Sequence, residues 1–205
     1  MIKNILFDWS GTLANDLPPV LKASNAIFKH FGRQELTLDE FRHHFRLPFS
    51  GFYAEFIPEA TDEGLETLYE RFFSGLHDEV ELLPGARGLL DFCQATGRRT
   101  FLLSTIKHSH FEAQASRLGV RDAFEHPYTQ IMDKREKIRE ILVERNLNPA
   151  ETIFVGDMIH DIETARHGGV TSVAVLTGFD PIEKLAPAQP DIIVANLGIL
   201  QHLLT

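Results

Sequence analysis

The residues that could do chemistry together are Asp8, Ser104 with Thr105, Lys134, Asp157 and Asp161. Asp8 closes the apolar run Ile5-Leu6-Phe7 and opens Asp8-Trp9-Ser10-Gly11-Thr12-Leu13. A strand ending in a carboxylate before a glycine-containing turn sets that carboxylate where an open α/β sheet collects its ligands. Such a carboxylate can attack phosphorus in line to give an acyl phosphate that water later hydrolyses, so Asp8 is the candidate nucleophile. Charge repulsion must first be overcome. Asp8, Asp157 and Asp161 are expected to converge at the ends of adjacent strands, and a phosphate dianion is untenable among them without cations. Mg²⁺ suits a site made only of oxygen donors. Lys134 supplies the other positive charge, neutralising Asp8 and the transferring phosphoryl group, with Lys137 in the same charged stretch as its competitor. The Ser104 hydroxyl and the Thr105 N–H are placed to bind a phosphoryl oxygen, as are the turn amides from Trp9 to Gly11.

The elements that must position these residues follow from the apolar periodicity. Strand-like runs at Ile2–Phe7, 100–103, 153–155, 171–175 and 192–194 alternate with helical spacing at 89–92, 111–118, 138–147, 162–167 and 199–204. That alternation predicts a doubly wound parallel sheet covered on both faces. Residues 15–82 break the pattern: β-branched runs are absent and apolar residues recur at helical spacing instead. Val20, Ile27 and Phe28 mark one helix closed by Gly32, Thr37 with Glu40 reads as a capping box, and Thr61 to His77 reads as a last long helix. The expected organisation is a core of residues 1–14 and 83–205 with an inserted all-helical cap, 15–82. Phe41, Phe45, Phe49, Phe52 and Phe56 read as the insertion's own core. The residues best placed to line a substrate pocket are Phe49, Phe52 and Tyr53 beside Pro48, with His44 and Arg46 the nearest polar groups for specificity.

At 205 residues and 43% hydrophobic, the chain can pack one sizeable domain with an insertion. Its formal charge of -9 argues against nucleic acid or an anionic membrane surface as partner, so a small anionic substrate needs a local positive centre. Cys93 is the lone cysteine, which excludes an internal disulfide and a multi-cysteine zinc site. Asp8 interrupts the first apolar run too early for a signal peptide, and a cytoplasmic monomer or homodimer is expected.

Taken in order, Asp8-Trp9-Ser10-Gly11-Thr12, Ser104-Thr105, Lys134 and Gly156-Asp157 with Asp161 resemble the haloacid dehalogenase superfamily, in its phosphoglycolate phosphatase-like and phosphonatase-like branch. The resemblance implies a Rossmann-like core and a Mg²⁺-dependent phosphohydrolase acting on a small phosphorylated metabolite. It assigns the metal to Asp8, the backbone carbonyl of Ser10 and Asp157, with Asp161 holding a metal-bound water. One position departs from the pattern. The superfamily's phosphatases carry a second Asp two residues after the nucleophile as general acid and base, and a hydroxyl at Ser10 cannot take that role at neutral pH. The stretch is close to the Asp-x-Ala-Gly-Thr of phosphonoacetaldehyde hydrolases, yet the Schiff-base lysine of their cap is missing, because the insertion holds only Lys22 and Lys29. Three readings follow: a slow or specialised phosphatase, a phosphonatase-like hydrolase of a carbon-phosphorus bond, and a phosphate-binding protein with little catalysis.

Overall fold

A computed structural model describes residues 1–205. The chain divides into two compact units, Met1–Asn15 with Glu81–Thr205, and Asp16–Val80. In chain order the first unit holds strands β1 (Asn4–Phe7), β2 (Ala14–Asn15) and β3 (Glu81–Leu82), then β4 (Arg99–Leu103), β5 (His126–Tyr128), β6 (Thr152–Gly156), β7 (Thr171–Val175) and β8 (Ile192–Val194). The second unit holds helices α1 (Leu17–His30), α2 (Leu38–His44), α3 (Phe49–Phe56) and α4 (Asp62–Phe73). The remaining helices belong to the first unit: α5 (Ala86–Ala95), α6 (His108–Arg117), α7 (Lys134–Glu144), α8 (Ile159–Gly168), α9 (Ile182–Leu185) and α10 (Leu197–Leu203).

Six strands form one parallel sheet in the order β5-β4-β1-β6-β7-β8, flanked by helices. All four residues of β1 are buried, and since successive side chains point to opposite faces, both faces of the sheet centre are covered. On one face Leu6, Phe101, Leu103 and Phe154 pack with Ile138, Ile141 and Leu142 of α7 and Ala165 of α8. From β1 the chain winds outward through β4 and β5, then returns beside β1 as β6 and winds the other way. The winding direction therefore reverses beside β1, and the crevice outside its carboxyl end is where such sheets bind ligands.

β5 was not expected from the sequence, because His126-Pro127-Tyr128 is short and neither alternating nor continuously apolar; a proline is tolerated there since β5 is an edge strand. The two ends of the insertion carry a second feature with no periodic signal, a two-stranded antiparallel ladder pairing Ala14 with Leu82 and Asn15 with Glu81. In the second unit Thr37 and Glu40 form the reciprocal capping box at α2, whereas the helix read over Thr61–His77 stops at Phe73, where the chain turns before a short 3-10 segment at His77–Glu79. Phe41 and Phe52 are fully buried and meet Phe28, Phe45 and Phe56 edge-on or stacked. No helix is long and apolar enough to cross a membrane.

Candidate active site

Three neighbouring strands deliver their following residues to one edge of the sheet. Asp8 leaves β1 with its N–H on the Val155 carbonyl of β6, 2.9 Å away, and Ser104 leaves β4 with its N–H on the Tyr128 carbonyl of β5. Asp157 follows Gly156 at the end of β6, and Asp161 sits in the first turn of α8. Ligand oxygens of Asp8, Asp157 and Asp161 lie within 4.8 Å of one another, and all three residues are buried. Lys134, the first residue of α7, reaches into this cluster, with Nζ 2.9 Å from Asp8 Oδ2 and 2.7 Å from Asp161 Oδ1. Its side chain is 1% exposed. Lys137 instead lies against Glu140 on the exposed side of the same helix.

Each carboxylate is fixed by donors that its local sequence supplies. Asp161 Oδ2 accepts the N–H groups of Asp157 and Met158 at 3.1 and 3.0 Å, an acid satisfying amides at the start of a helix. That fold-back explains Gly156, where a Cβ would lie 2.3 Å from the Asp161 side chain. Asp157 Oδ1 accepts the Thr12 hydroxyl at 2.7 Å, and its Oδ2 accepts the Phe179 N–H at 2.8 Å. Gly11, at φ +70°, and Gly178 press on the same oxygen: a Cβ would come within 2.4 Å of it at Gly11 and 1.9 Å at Gly178. Asp8 Oδ1 accepts the N–H of Trp9 at 2.7 Å. The Trp9 indole turns away into the core, its Nε1 donating to Gln114 Oε1 of α6 at 2.7 Å and its ring edge-on to Phe111. Ser104 is buried, its hydroxyl accepting the Ile106 N–H at 3.3 Å, and Thr105 is half-buried beside it.

Thr12, Thr177, Gly178, Phe179 and Asp180 lie outside the sequence-derived candidates. Thr177 donates its hydroxyl to the Gly11 carbonyl at 2.8 Å, and Asp180 accepts the Ile159 N–H at the start of α8 at 2.9 Å. The loop after β7 therefore ties the turn that follows Asp8 to Asp157 and α8. The signal for it was the strand-end rule itself, applied once more to the apolar run 171–175.

Electrostatics follow from burial. No other Lys or Arg of the chain is buried, so three carboxylates face one ammonium. Burial alone would depress Lys134, but the Asp161 and Asp8 carboxylates outweigh it and hold the ammonium above its ordinary value. Burial pushes the Asp8 carboxyl up against the pull of Lys134. Asp157 has no cation partner, and burial with the charges of Asp161 and Asp8 drives its carboxyl well above the ordinary range. A cluster with two uncompensated negative charges and only hard oxygen donors fits a divalent hard cation. Each Asp157 oxygen has accepted one hydrogen bond, which leaves a lone pair on each for a metal.

Ser10 sits half-buried in the turn that follows Asp8, its backbone bridged to Ala14, and it brings no carboxyl to the cluster. The candidates for specificity belong to the second unit. His44 Nδ1 and Arg46 Nη1 both meet Glu55, at 2.7 and 2.8 Å, and Arg46 also donates to the carbonyls of His44 and Gly51. Phe52 is buried, Tyr53 donates its hydroxyl to Ser24 at 3.0 Å, and half-buried Phe49 lies against Tyr53.

Comparison with known proteins adds four likenesses. The family model described as haloacid dehalogenase-like hydrolase matches residues 5–175. The chain is 29% identical over 192 residues to a phosphoglycolate phosphatase of Synechococcus elongatus, spanning 91% of this chain and 90% of the relative. It is 26% identical over 211 residues to the pyrophosphatase PpaX of Anoxybacillus flavithermus, spanning 99% and 97%. Among solved structures, a haloacid dehalogenase-like family hydrolase from Streptococcus pneumoniae superposes with a TM-score of 0.85 at 22% identity, over 100% of this chain and 99% of that one.

Proposed function

This chain belongs to the haloacid dehalogenase-like hydrolases, and on that premise we propose that it is a Mg²⁺-dependent phosphohydrolase of a small phosphorylated metabolite, acting through an aspartyl-phosphate intermediate. The observation that carries the reading is the buried cluster in which Lys134 bridges Asp8 and Asp161 while Asp157 stands alongside without a cation. Asp8 Oδ attacks phosphorus, the bond to the leaving oxygen breaks, and water later cleaves the acyl phosphate to release orthophosphate and restore the carboxylate. Lys134 keeps Asp8 ionised and balances charge on the phosphoryl oxygens. The Ser104 hydroxyl and the Thr105 N–H hold one of those oxygens, and Asp161 fixes both Lys134 and the amides that precede α8. Asp8, the Ser10 carbonyl and Asp157 would hold Mg²⁺, which supplies charge neutralisation that one ammonium cannot. The phosphatase and pyrophosphatase relatives support a phosphoryl substrate.

The absence of a carboxyl at Ser10 favours two other readings as competitors, a phosphonatase-like hydrolase of a carbon-phosphorus bond and a phosphate-binding protein with little catalysis. A screen of phosphomonoesters, anhydrides and phosphonates with and without Mg²⁺ separates the three. Asp8→Asn is expected to abolish turnover while the folded chain remains, since an amide is a poor nucleophile. Unchanged turnover in that variant would exclude the covalent route.

A further inference from the structure

The groups around Asp8 differ sharply in what they can give to a departing oxygen. Asp161 accepts from Lys134 and two amides, Asp157 accepts from Thr12 and Phe179, and Lys134 is clasped between Asp8 and Asp161. Within the nucleophile turn, Gly11 has no side chain and the Thr12 hydroxyl is spent on Asp157. That leaves Ser10, whose position is rigid: the turn is closed by Gly11 N–H on the Ala14 carbonyl and by Ala14 N–H on the Trp9 carbonyl, both at 2.9 Å. Its aliphatic hydroxyl is no acid at neutral pH. One imidazole stands at the start of α8: His160 turns its Nε2 toward Asp133 at 4.0 Å and keeps its Nδ1 buried without a hydrogen-bond partner, which makes it the one side chain whose part in proton transfer has to be tested. The site thus holds one buried cation among fixed acceptors and is poor in acids.

An alkyl phosphate loses an alkoxide, which needs a proton as the bond breaks, and an acid placed to give it is worth about 10²- to 10⁴-fold. An anhydride loses phosphate or carboxylate, anions stable as they leave, which need a cation and no proton. We propose that the substrates this site is built to cleave are anhydrides of phosphoric acid, pyrophosphoryl or acyl phosphate compounds, a reading that rests on the phosphohydrolase function above. In the first step the Asp8 oxygen bonds to the terminal phosphorus, the bridging P–O bond breaks, and its electron pair leaves on the bridging oxygen with no proton transferred. In the second, water oxygen bonds to phosphorus, the bond to Asp8 breaks with its pair returning to the carboxylate, and the surplus proton passes to solvent.

The test is single-turnover cleavage, with Mg²⁺ saturating, of inorganic pyrophosphate, acetyl phosphate, an aryl phosphate and an alkyl phosphate by the wild type, Ser10→Asp and His160→Gln. The expected wild-type order follows leaving-group stability, anhydrides exceeding the alkyl ester by at least about 10²-fold. Ser10→Asp should raise only the alkyl ester substantially, narrowing that gap tenfold or more, and His160→Gln should leave the order unchanged. Wild-type cleavage of the alkyl ester as fast as the anhydrides would overturn the inference while leaving the phosphohydrolase reading intact. Selective loss of alkyl cleavage in His160→Gln would overturn it by revealing a proton donor. Absence of turnover on all four substrates, with no acid-stable or hydroxylamine-trapped acyl phosphate, would overturn both.

Discussion

Gly178→Ala isolates the packing that holds Asp157. The backbone at Gly178 is not left-handed, so alanine is allowed there on its own account, but the new Cβ would stand 1.9 Å from Asp157 Oδ2 and 2.3 Å from its Cγ. Ordinary contact requires the carboxylate or the loop to retreat by about 1.5 Å. Either movement stretches the 2.8 Å bond from the Phe179 N–H past hydrogen-bonding range. A charge-assisted bond at a buried site contributes about 1.5–3 kcal/mol, and an off-rotamer carboxylate adds about 1 kcal/mol, so a stability loss of about 2–4 kcal/mol is expected. If Asp157 holds Mg²⁺ as proposed, its displacement by more than about 1 Å should cost about 10²-fold in turnover, with Mg²⁺ affinity falling at least tenfold. Thermal unfolding, titration calorimetry with Mg²⁺ and single-turnover kinetics read the three effects. Gly75→Ala is the control, since a Cβ there meets open space, and it should shift stability by less than about 1 kcal/mol. Wild-type Mg²⁺ affinity and turnover in Gly178→Ala would refute the account of how Asp157 is held.

Lys134→Met leaves Asp8 and Asp161 buried without their shared cation and should cost about 3–5 kcal/mol in urea unfolding; a loss under 1 kcal/mol would show that the carboxylates do not depend on it. Gln114→Leu strands the buried indole N–H of Trp9, the only tryptophan, for about 1–3 kcal/mol and should shift its fluorescence, whereas an unchanged spectrum would contradict the 2.7 Å bond. Tyr53 is 4% exposed, and burial, opposed by its bond to Ser24, pushes its phenol up to about 12 from 10.0. The folded state keeps that proton while the unfolded chain loses it above pH 10, so stability should fall by up to about 3 kcal/mol between pH 10 and 12. Tyr53→Phe should remove that part of the alkaline slope, and an equally steep slope in the variant would disprove it.

The doubly wound core was legible because its central strands are short, wholly buried runs such as 100–103, set between Arg99 and Ser104, and 153–155, set between Thr152 and Gly156. Asp8, Ser104 and Asp157 stood out for the same reason, as polar residues directly after such runs. Lys134 was harder to choose over Lys137, since both lie in one charged stretch and only their facing on α7 separates them. Thr12, Phe179 and Asp180 act through a single hydroxyl, a backbone N–H and a carboxylate at a helix start, and such contacts leave no period in a sequence. The edge strand β5 was hidden by its length and its proline.

The small ladder of β2 and β3 has a consequence for how proteins of this kind diversify. By pairing Ala14 with Leu82 and Asn15 with Glu81, and by setting the Leu83 N–H on the Leu13 carbonyl, it makes the chain leave and re-enter the core at adjacent points. To the sheet, residues 16–80 are a closed loop. Doubling the length of such a loop costs only about 0.6 kcal/mol of closure entropy, less than many single substitutions. Whole modules can therefore be lengthened, replaced or lost behind that clasp with the register of the sheet undisturbed, so the excursion and the carboxylate cluster are free to evolve at different rates.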